Sequence, residues 1–241
     1  MLKRSPTLTE QVKALIKRRI LNNKFDTGRI PSETELATAL GVSRTTIRDA
    51  LSRLEREGTI YRKQGAGTFV NPASLQIKTR LEEIWSYEAM LEAHDYIPST
   101  QIISVAEQPL EEETAAELQL PPTEPGMLVK KLFLADAEPV IFTLNHIPSR
   151  YIKEPYGDEI FHQPIYQFLS DYCHLHLSYY LSEIVPLSAP DWLADILQLK
   201  PQSALISFDE IGYDLDNTPI LKARSYFKDE LLRLRLMRRE A

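Results

Sequence analysis

Apolar residues recur at three- and four-residue spacing through Leu8, Val12, Leu15, Ile16 and Ile20, which predicts an amphipathic helix starting near Thr7 or Thr9. A turn around Asp26-Thr27-Gly28 follows. Pro31-Ser32 then precedes a second helix, with Ser32 as N-cap, Glu35 three residues on completing a capping box, and Leu36, Ala39 and Leu40 facing inward. Gly41 ends that helix and Ser43 caps the next, whose buried side draws on Val42, Ile47, Leu51 and Leu54. So short a gap forces a steep crossing, the helix-turn-helix arrangement. Past Gly58, Thr59-Ile60-Tyr61-Arg62 and Thr68-Phe69-Val70 read as two strands joined through Lys63-Gln64-Gly65-Ala66-Gly67. They form a wing whose Ile60 and Phe69 pack on the helices.

The remainder follows a different pattern. Pro72 interrupts strand pairing, so residues 71–76 read as a linker. Ile77, Leu81, Ile84, Trp85, Met90 and Leu91 predict a helix from Leu75 to Ala93, and Ser99-Thr100 opens an apolar alternation through Ile103 and Val105. Strands are predicted at Leu128–Leu134, Val140–Ile147, Tyr179–Val185, Leu205–Tyr213 and Ile220–Phe227. Helices are predicted at 111–120, around Ile165–Leu169 and at Pro190–Leu199. Leu232, Leu234 and Leu236 alternate with Arg233 and Arg235, which favours one more strand. This order lacks the regular alternation of a parallel sheet; it predicts an α+β protein whose second domain is an antiparallel sheet with packed helices and a cleft between them. The expected domains are residues 1–70, a linker 71–76, and residues 77–241.

Charge divides at the same boundary. Residues 1–70 hold 14 of the 28 Lys and Arg but 7 of the 34 Asp and Glu, a net of +7 against −13 for the rest. A polyanion is attracted to the first part and repelled by much of the second. The chain has no apolar run of membrane-spanning length and no secretory h-region, so a cytoplasmic protein without membrane contact is expected. The single Cys173 allows neither an internal disulfide nor a cysteine-rich zinc site.

These features favour double-stranded DNA as a partner. The start of the third helix offers free amides and the hydroxyls of Ser43 and Thr46 to phosphates, while the forks of Arg44 and Arg48 match guanine O6 and N7 in the major groove. Ser32 and Thr34 lie at the start of the preceding helix. Gly65 and Gly67 leave no side chain between the wing backbone and a minor-groove wall.

The stretches PSETELATALGVSRTTIRDALSRLEREG and GAGTFV resemble the winged helix-turn-helix of the GntR family of bacterial transcriptional regulators. The resemblance implies a homodimer on a palindromic operator, Arg44 and Arg48 on DNA and Gly67 at the minor groove. One departure is Thr34, where the family commonly has a base-contacting arginine; an altered operator preference or weaker discrimination is expected. From 77 to 238 the order, with HDYIPSTQIISV, LVKKLFLADAEPVIFTLNHIP and TPILKARSYFKD, resembles the chorismate-lyase-like effector domain of the HutC branch. That implies a small-molecule metabolite as effector, near Ser99 and Thr100, and a repressor of catabolic or transport genes. The family's strand glutamate is here Thr143, and its Tyr-Arg pair is Tyr226-Phe227 followed by Asp229. Lys130, Lys131 and Arg224 are candidates to compensate, with Arg224, Glu183 and Tyr226 as pocket groups and only one of the two adjacent lysines facing the cleft. A ligand less charged than a sugar phosphate is expected.

Cys173, His174 and His176 offer a Cys-His-x-His run with Asp171 nearby, but core or surface hydrogen bonding explains them better than a metal. No cofactor is implied. No Ser/His/Asp order, acid pair or nucleotide loop stands out, so no catalytic residue is assigned. The competing classes are a nonspecific DNA-binding protein, whose affinity follows phosphate count and salt alone, and an enzyme using the cleft.

Overall fold

The structure is a computed structural model that describes residues 7–22, 25, 28–77 and 83–228. The chain forms two compact units divided near residue 80. Asp26, Thr27, Leu81, Asp229 and the alternating segment around Leu234, on which sequence expectations fall, lie outside the described residues.

In the first unit, α1 (Leu8–Leu21), α2 (Glu33–Leu40) and α3 (Arg44–Arg56) are each started by a local signal. Thr7 accepts from the Glu10 N–H and donates its own backbone N–H to the Glu10 carboxylate; Ser32 and Glu35 repeat this box. Each such cap contributes about 1 kcal/mol, enough to fix where a short helix begins. Gly41 stops α2 in the left-handed region at φ 65°, where a Cβ would be strained. At the end of α3 Thr59 N–H bonds Leu54 O and Gly58 N–H bonds Glu55 O, which satisfies the last carbonyls. Val12, Ile16, Ile20, Leu36, Ile47, Ala50, Leu51 and Leu54 form one core.

The stripe is narrower than its sequence reading. Leu8 and Leu15 stay exposed, and Ala37, not Ala39, is buried, because Leu36, Ala37 and Leu40 together set the inward side of α2 and Ala39 falls roughly a right angle away from its centre. The wing strands β2 (Ile60–Lys63) and β3 (Gly67–Val70) are joined by a third, β1 (Arg29–Ile30), giving the order β1-β3-β2. Ile60 is buried against the helices as expected, but Phe69 is not: Val70 takes the helix-facing side, and alternation sends Phe69 to the other, where it stacks on Tyr61. Pro72–Gln76 is a 3-10 turn rather than a plain linker, with Ser74 buried and its hydroxyl donating to Asn71 O at 2.7 Å.

The second unit is a six-stranded antiparallel sheet, with β4 (Pro98–Pro109), β5 (Pro125–Ala135), β6 (Glu138–Pro148), β7 (Tyr179–Ser188), β8 (Ala204–Tyr213) and β9 (Pro219–Lys228) in the order β4-β5-β6-β9-β8-β7. Asp136 and Ala137, at φ 49° and 70°, form the two-residue turn between β5 and β6. Of the expected helix Leu75–Ala93, the described residues form an α-helix only at α4 (Tyr87–Ala93), where Ser86 caps the start and accepts the Ala89 N–H. The other helices are α5 (Glu112–Glu117), α6 (Ile165–Tyr172) and α7 (Asp191–Leu197).

Both faces of the sheet are covered at its centre. Met127, Val129, Ile147, Leu221 and Ala223 pack under Phe168 and Leu169 of α6, while Phe133, Ile141 and Phe227 meet Met90 and Leu91 of α4. On the opposite face Leu132, Phe142 and Tyr226 meet Leu193, Ala194 and Leu197 of α7. Central strands buried on both sides lose the apolar-polar alternation of a half-exposed sheet, so their faces cannot be told apart by hydrophobicity.

Candidate nucleic-acid interface and ligand cavity

On the first unit, α3 presents Arg44 and Arg48 exposed, one turn apart, with Ile47, Ala50 and Leu51 anchoring its opposite side. Neither arginine has an ion pair among the described residues. Other cations are engaged: Lys13 pairs with Glu57, Arg53 with Glu10, and Arg62 with Glu33 and Glu55. Ser43 Oγ accepts the Thr46 N–H and lies 2.8 Å from Thr46 Oγ1, so both hydroxyls also serve the helix cap. Ser32 is likewise a cap. Thr34 is exposed on α2, and Gly65 and Gly67 are exposed at the wing tip with φ 73° and 115°. A Cβ at Gly67 would lie 3.2 Å from Arg29 Nε, a contact the arginine side chain can relieve with a small shift, so it is the backbone angle that favours glycine here.

On the second unit, a cavity of about 610 Å³ lies between the sheet and helices α4 and α6. Its floor alternates out of the strands: Lys131 and Phe133 of β5, Thr143 and Asn145 of β6, Ser225 of β9, Phe208 and Glu210 of β8, Ser182 of β7. Trp85, Tyr87, Tyr166 and Tyr180 add aromatic walls. Lys131 is 2% exposed, donates to Gln163 O at 2.7 Å and stands 5.1 Å from the Phe133 ring centre. Burial pulls its pKa down to about 8, against the opposing charge of Glu88. Glu210 accepts from Ser182, yet burial, helped by the Asp209 charge, holds its carboxyl above the usual range. Tyr87 donates to Ser225 Oγ at 2.7 Å, and burial raises its pKa strongly.

The sequence matches the UTRA domain over residues 93–233 and bacterial regulatory proteins of the gntR family over residues 8–70. The chain belongs to the gntR family of regulators with a UTRA domain. It is 27% identical over 223 residues to the HTH-type transcriptional repressor NagR of Bacillus subtilis, covering 92% of this chain and 89% of that protein. It is also 27% identical over 206 residues to the histidine utilization repressor of Pseudomonas putida, covering 85% and 77%. Among solved structures, the possible transcriptional regulator YydK of Bacillus subtilis superposes with a TM-score of 0.74 at 17% identity, covering 99% of this chain and all (100%) of that one. PhnF of Mycobacterium smegmatis gives 0.58 at 19% identity, covering 95% and 100%. These two show the shared fold. The family and its named relatives are DNA-binding transcriptional regulators, not enzymes.

Within this UTRA domain the seven expected effector residues are dispersed. Lys131 lies in the cavity; Thr100 reaches it indirectly, donating at 3.0 Å to Glu88, which lines it. Ser99 is exposed and lines neither this cavity nor the depression on the opposite face of the sheet. Lys130, Arg224 and Tyr226 line a second depression of about 450 Å³ on the opposite face. Arg224 is not a free pocket group there: its Nε donates to Asp209 Oδ2 at 2.8 Å, and Lys222 shares that carboxylate while also bonding Glu117 at 2.6 Å. Burial pushes the Asp209 carboxyl up, but hydrogen bonds and charge from Lys222 and Arg224 more than reverse this, leaving it below the ordinary value.

Glu183 is exposed on β7, one residue from Ser182 and therefore on the wrong face for the cavity. The group facing inward at that level is Glu210, paired with Ser182 in the β7–β8 register. Neither it nor Tyr87, Tyr166 and Tyr180 carries a sequence signal beyond residue type, since only the strand register and the helix docking bring them together. His174 Nε2 lies 3.1 Å from Glu154, and Cys173 is buried in the core under α6; no cluster of metal ligands occurs among the described residues.

Proposed function

We propose that this regulator is a metabolite-responsive repressor that acts as a homodimer, setting two α3 helices into successive major grooves of a palindromic operator. The observation that carries the reading is the pair Arg44 and Arg48, exposed one turn apart beside a capped helix start and free of ion pairs among the described residues. Guanidinium forks in that setting can bind guanine edges, while Ser43, Thr46 and Ser32 contribute phosphate contacts and the Gly65–Gly67 tip approaches the minor groove. Repression agrees with the printed functions of NagR and the histidine utilization repressor.

The cavity above the sheet is the effector site in this reading. An effector that prefers one arrangement of the two heads shifts DNA affinity by its difference in affinity between arrangements. Dimerisation is supported by β7, an edge strand among the described residues, which exposes Leu181, Ile184 and Val185; an unpaired apolar edge is a natural surface for a second copy. The test is fluorescence anisotropy of the purified chain on its own upstream DNA at about 0.15 M salt, where weak surface attraction is screened. A strong preference over shuffled DNA supports the reading. Equal binding to both, falling together with salt, assigns a nonspecific DNA-binding protein instead.

A further inference from the structure

The charge of the cavity is unlike that of a phosphate site. Among the described residues its lining holds the carboxylates of Glu83, Glu88 and Glu210, a single ammonium from Lys131, and no arginine. A phosphorylated sugar brings about two negative charges, which are ordinarily met by arginine forks. Among the described residues one lysine, already bonded to Gln163 O and facing Glu88, would have to meet them alone.

The two signs are segregated along the sheet. Lys131 stands on β5, and its hydrogen bond to Gln163 sets it beside the first residues of α6, where Pro164, Ile165 and Tyr166 also line the cavity. Pro164 gives α6 no side-chain cap, so this end combines a cation with uncapped amides. Glu210 stands on β8, three strands away in the order β5-β6-β9-β8, a spacing of roughly 14 Å between backbones. Thr143, Asn145 and Ser225 lie between them as a neutral, hydrogen-bonding floor. No basic side chain offsets Glu210 among the described residues; its partner is the Ser182 hydroxyl. The faces of Tyr87, Tyr166, Tyr180 and Trp85 complete a wall suited to an organic cation.

We propose that the cavity takes a small zwitterion, its ammonium held by Glu210 and the aromatic walls and its acidic group directed to Lys131 and the start of α6. This rests on the reading of the cavity as the effector site and assigns its ligand class. The burial that leaves Glu210 reluctant to ionise favours the same class, because an incoming cation restores its charge.

The probe is γ-butyrobetaine, compared with its carbon isostere 5,5-dimethylhexanoate, in which a tert-butyl group replaces trimethylammonium, and with glucose 6-phosphate. Binding to the full chain is followed by calorimetry, independently of DNA. The zwitterion is expected to bind about tenfold tighter than the isostere, and Glu210→Gln, which can still accept from Ser182, is expected to erase that preference. Glu183→Gln, on the other face, is expected to leave it intact, with thermal unfolding confirming that both variants fold. The proposal is overturned if the isostere binds as tightly, if γ-butyrobetaine does not bind, or if glucose 6-phosphate is preferred and loses affinity in Lys131→Met. Each of these outcomes leaves operator recognition to be decided by the anisotropy experiment, so the ligand class and the regulatory function fail separately.

Discussion

Lys130 and Lys131 are neighbours in sequence and lie on opposite faces of one sheet. Lys131 Nζ donates to Gln163 O inside the cavity, whereas Lys130 lines the depression behind it. The buried lysine has its pKa lowered to about 8, against an ordinary value of about 10.4. Between those values the unfolded chain holds a proton that the folded chain has released, so this group makes stability rise with pH across that window. Lys131→Met is therefore expected to be more stable than the parent at pH 7, by up to about 3 kcal/mol, with the advantage shrinking as pH approaches 10. Urea unfolding of both proteins at the two pH values checks this; a pH-independent difference contradicts it. Lys130→Met should show no such dependence.

On the same sheet Asp209 binds both Lys222 and Arg224, and Lys222 is only 6% exposed. Asp209→Asn leaves two cations facing each other across a neutral amide. A loss of about 2–3 kcal/mol is expected. Because the folded carboxyl titrates below its unfolded value, the stabilisation is complete above about pH 4 and is lost as pH falls through the lower folded value. The parent and variant should thus converge in stability under acid, measured by denaturant unfolding from pH 7 to pH 3.

Much of the first unit was legible in the chain because its signals are local. Ser32, Gly41 and Ser43 each act within four residues, so reading them needs no knowledge of the fold. β1 escaped because two residues carry no period, and Phe69 was misplaced because the wing's facing depends on its packing. The cavity was harder to read. Alternation correctly separates Lys130 from Lys131, but which of them faces a ligand depends on where α4 and α6 dock. Glu183 lies one residue from Ser182 on β7 and so faces away from the cavity, whereas Glu210, opposite Ser182 on β8, faces into it. No pattern within either strand encodes that facing, since β7 is exposed along nearly all its length and the burial of β8 does not alternate.

The cations of α3 and the wing divide into two groups with different expected effects. Arg48 is exposed and without an ion pair among the described residues; Arg62 bridges Glu33 and Glu55 at 3.8 and 3.5 Å. Arg48→Ala is expected to cost about 1–3 kcal/mol of operator binding and clearly less on shuffled DNA, with Arg44→Ala behaving similarly. Arg62→Ala, which breaks exposed pairs, should change fold stability by less than about 1 kcal/mol. Anisotropy titrations at several salt concentrations distinguish base from phosphate contact: an equal loss on both DNAs, with a shallower salt slope, would move Arg48 to the phosphate class.

Thr34 stands exposed at the second position of α2, and its carbonyl accepts the Thr38 hydroxyl at 3.1 Å. Its own side chain is shorter than an arginine's and cannot present two parallel donors. Thr34→Arg should not disturb the Ser32–Glu35 box, which is made by its neighbours, and arginine is the better helix former by a few tenths of a kcal/mol. Fold stability is therefore expected to hold or rise slightly, so any change in DNA behaviour is attributable to the new fork. Selection from randomised half-sites should show a new guanine preference at one position of each half-site, with affinity for that sequence raised about tenfold. An unchanged selection profile, from a variant with unchanged unfolding, would mean that the start of α2 faces phosphate or solvent and that base discrimination resides in α3 alone.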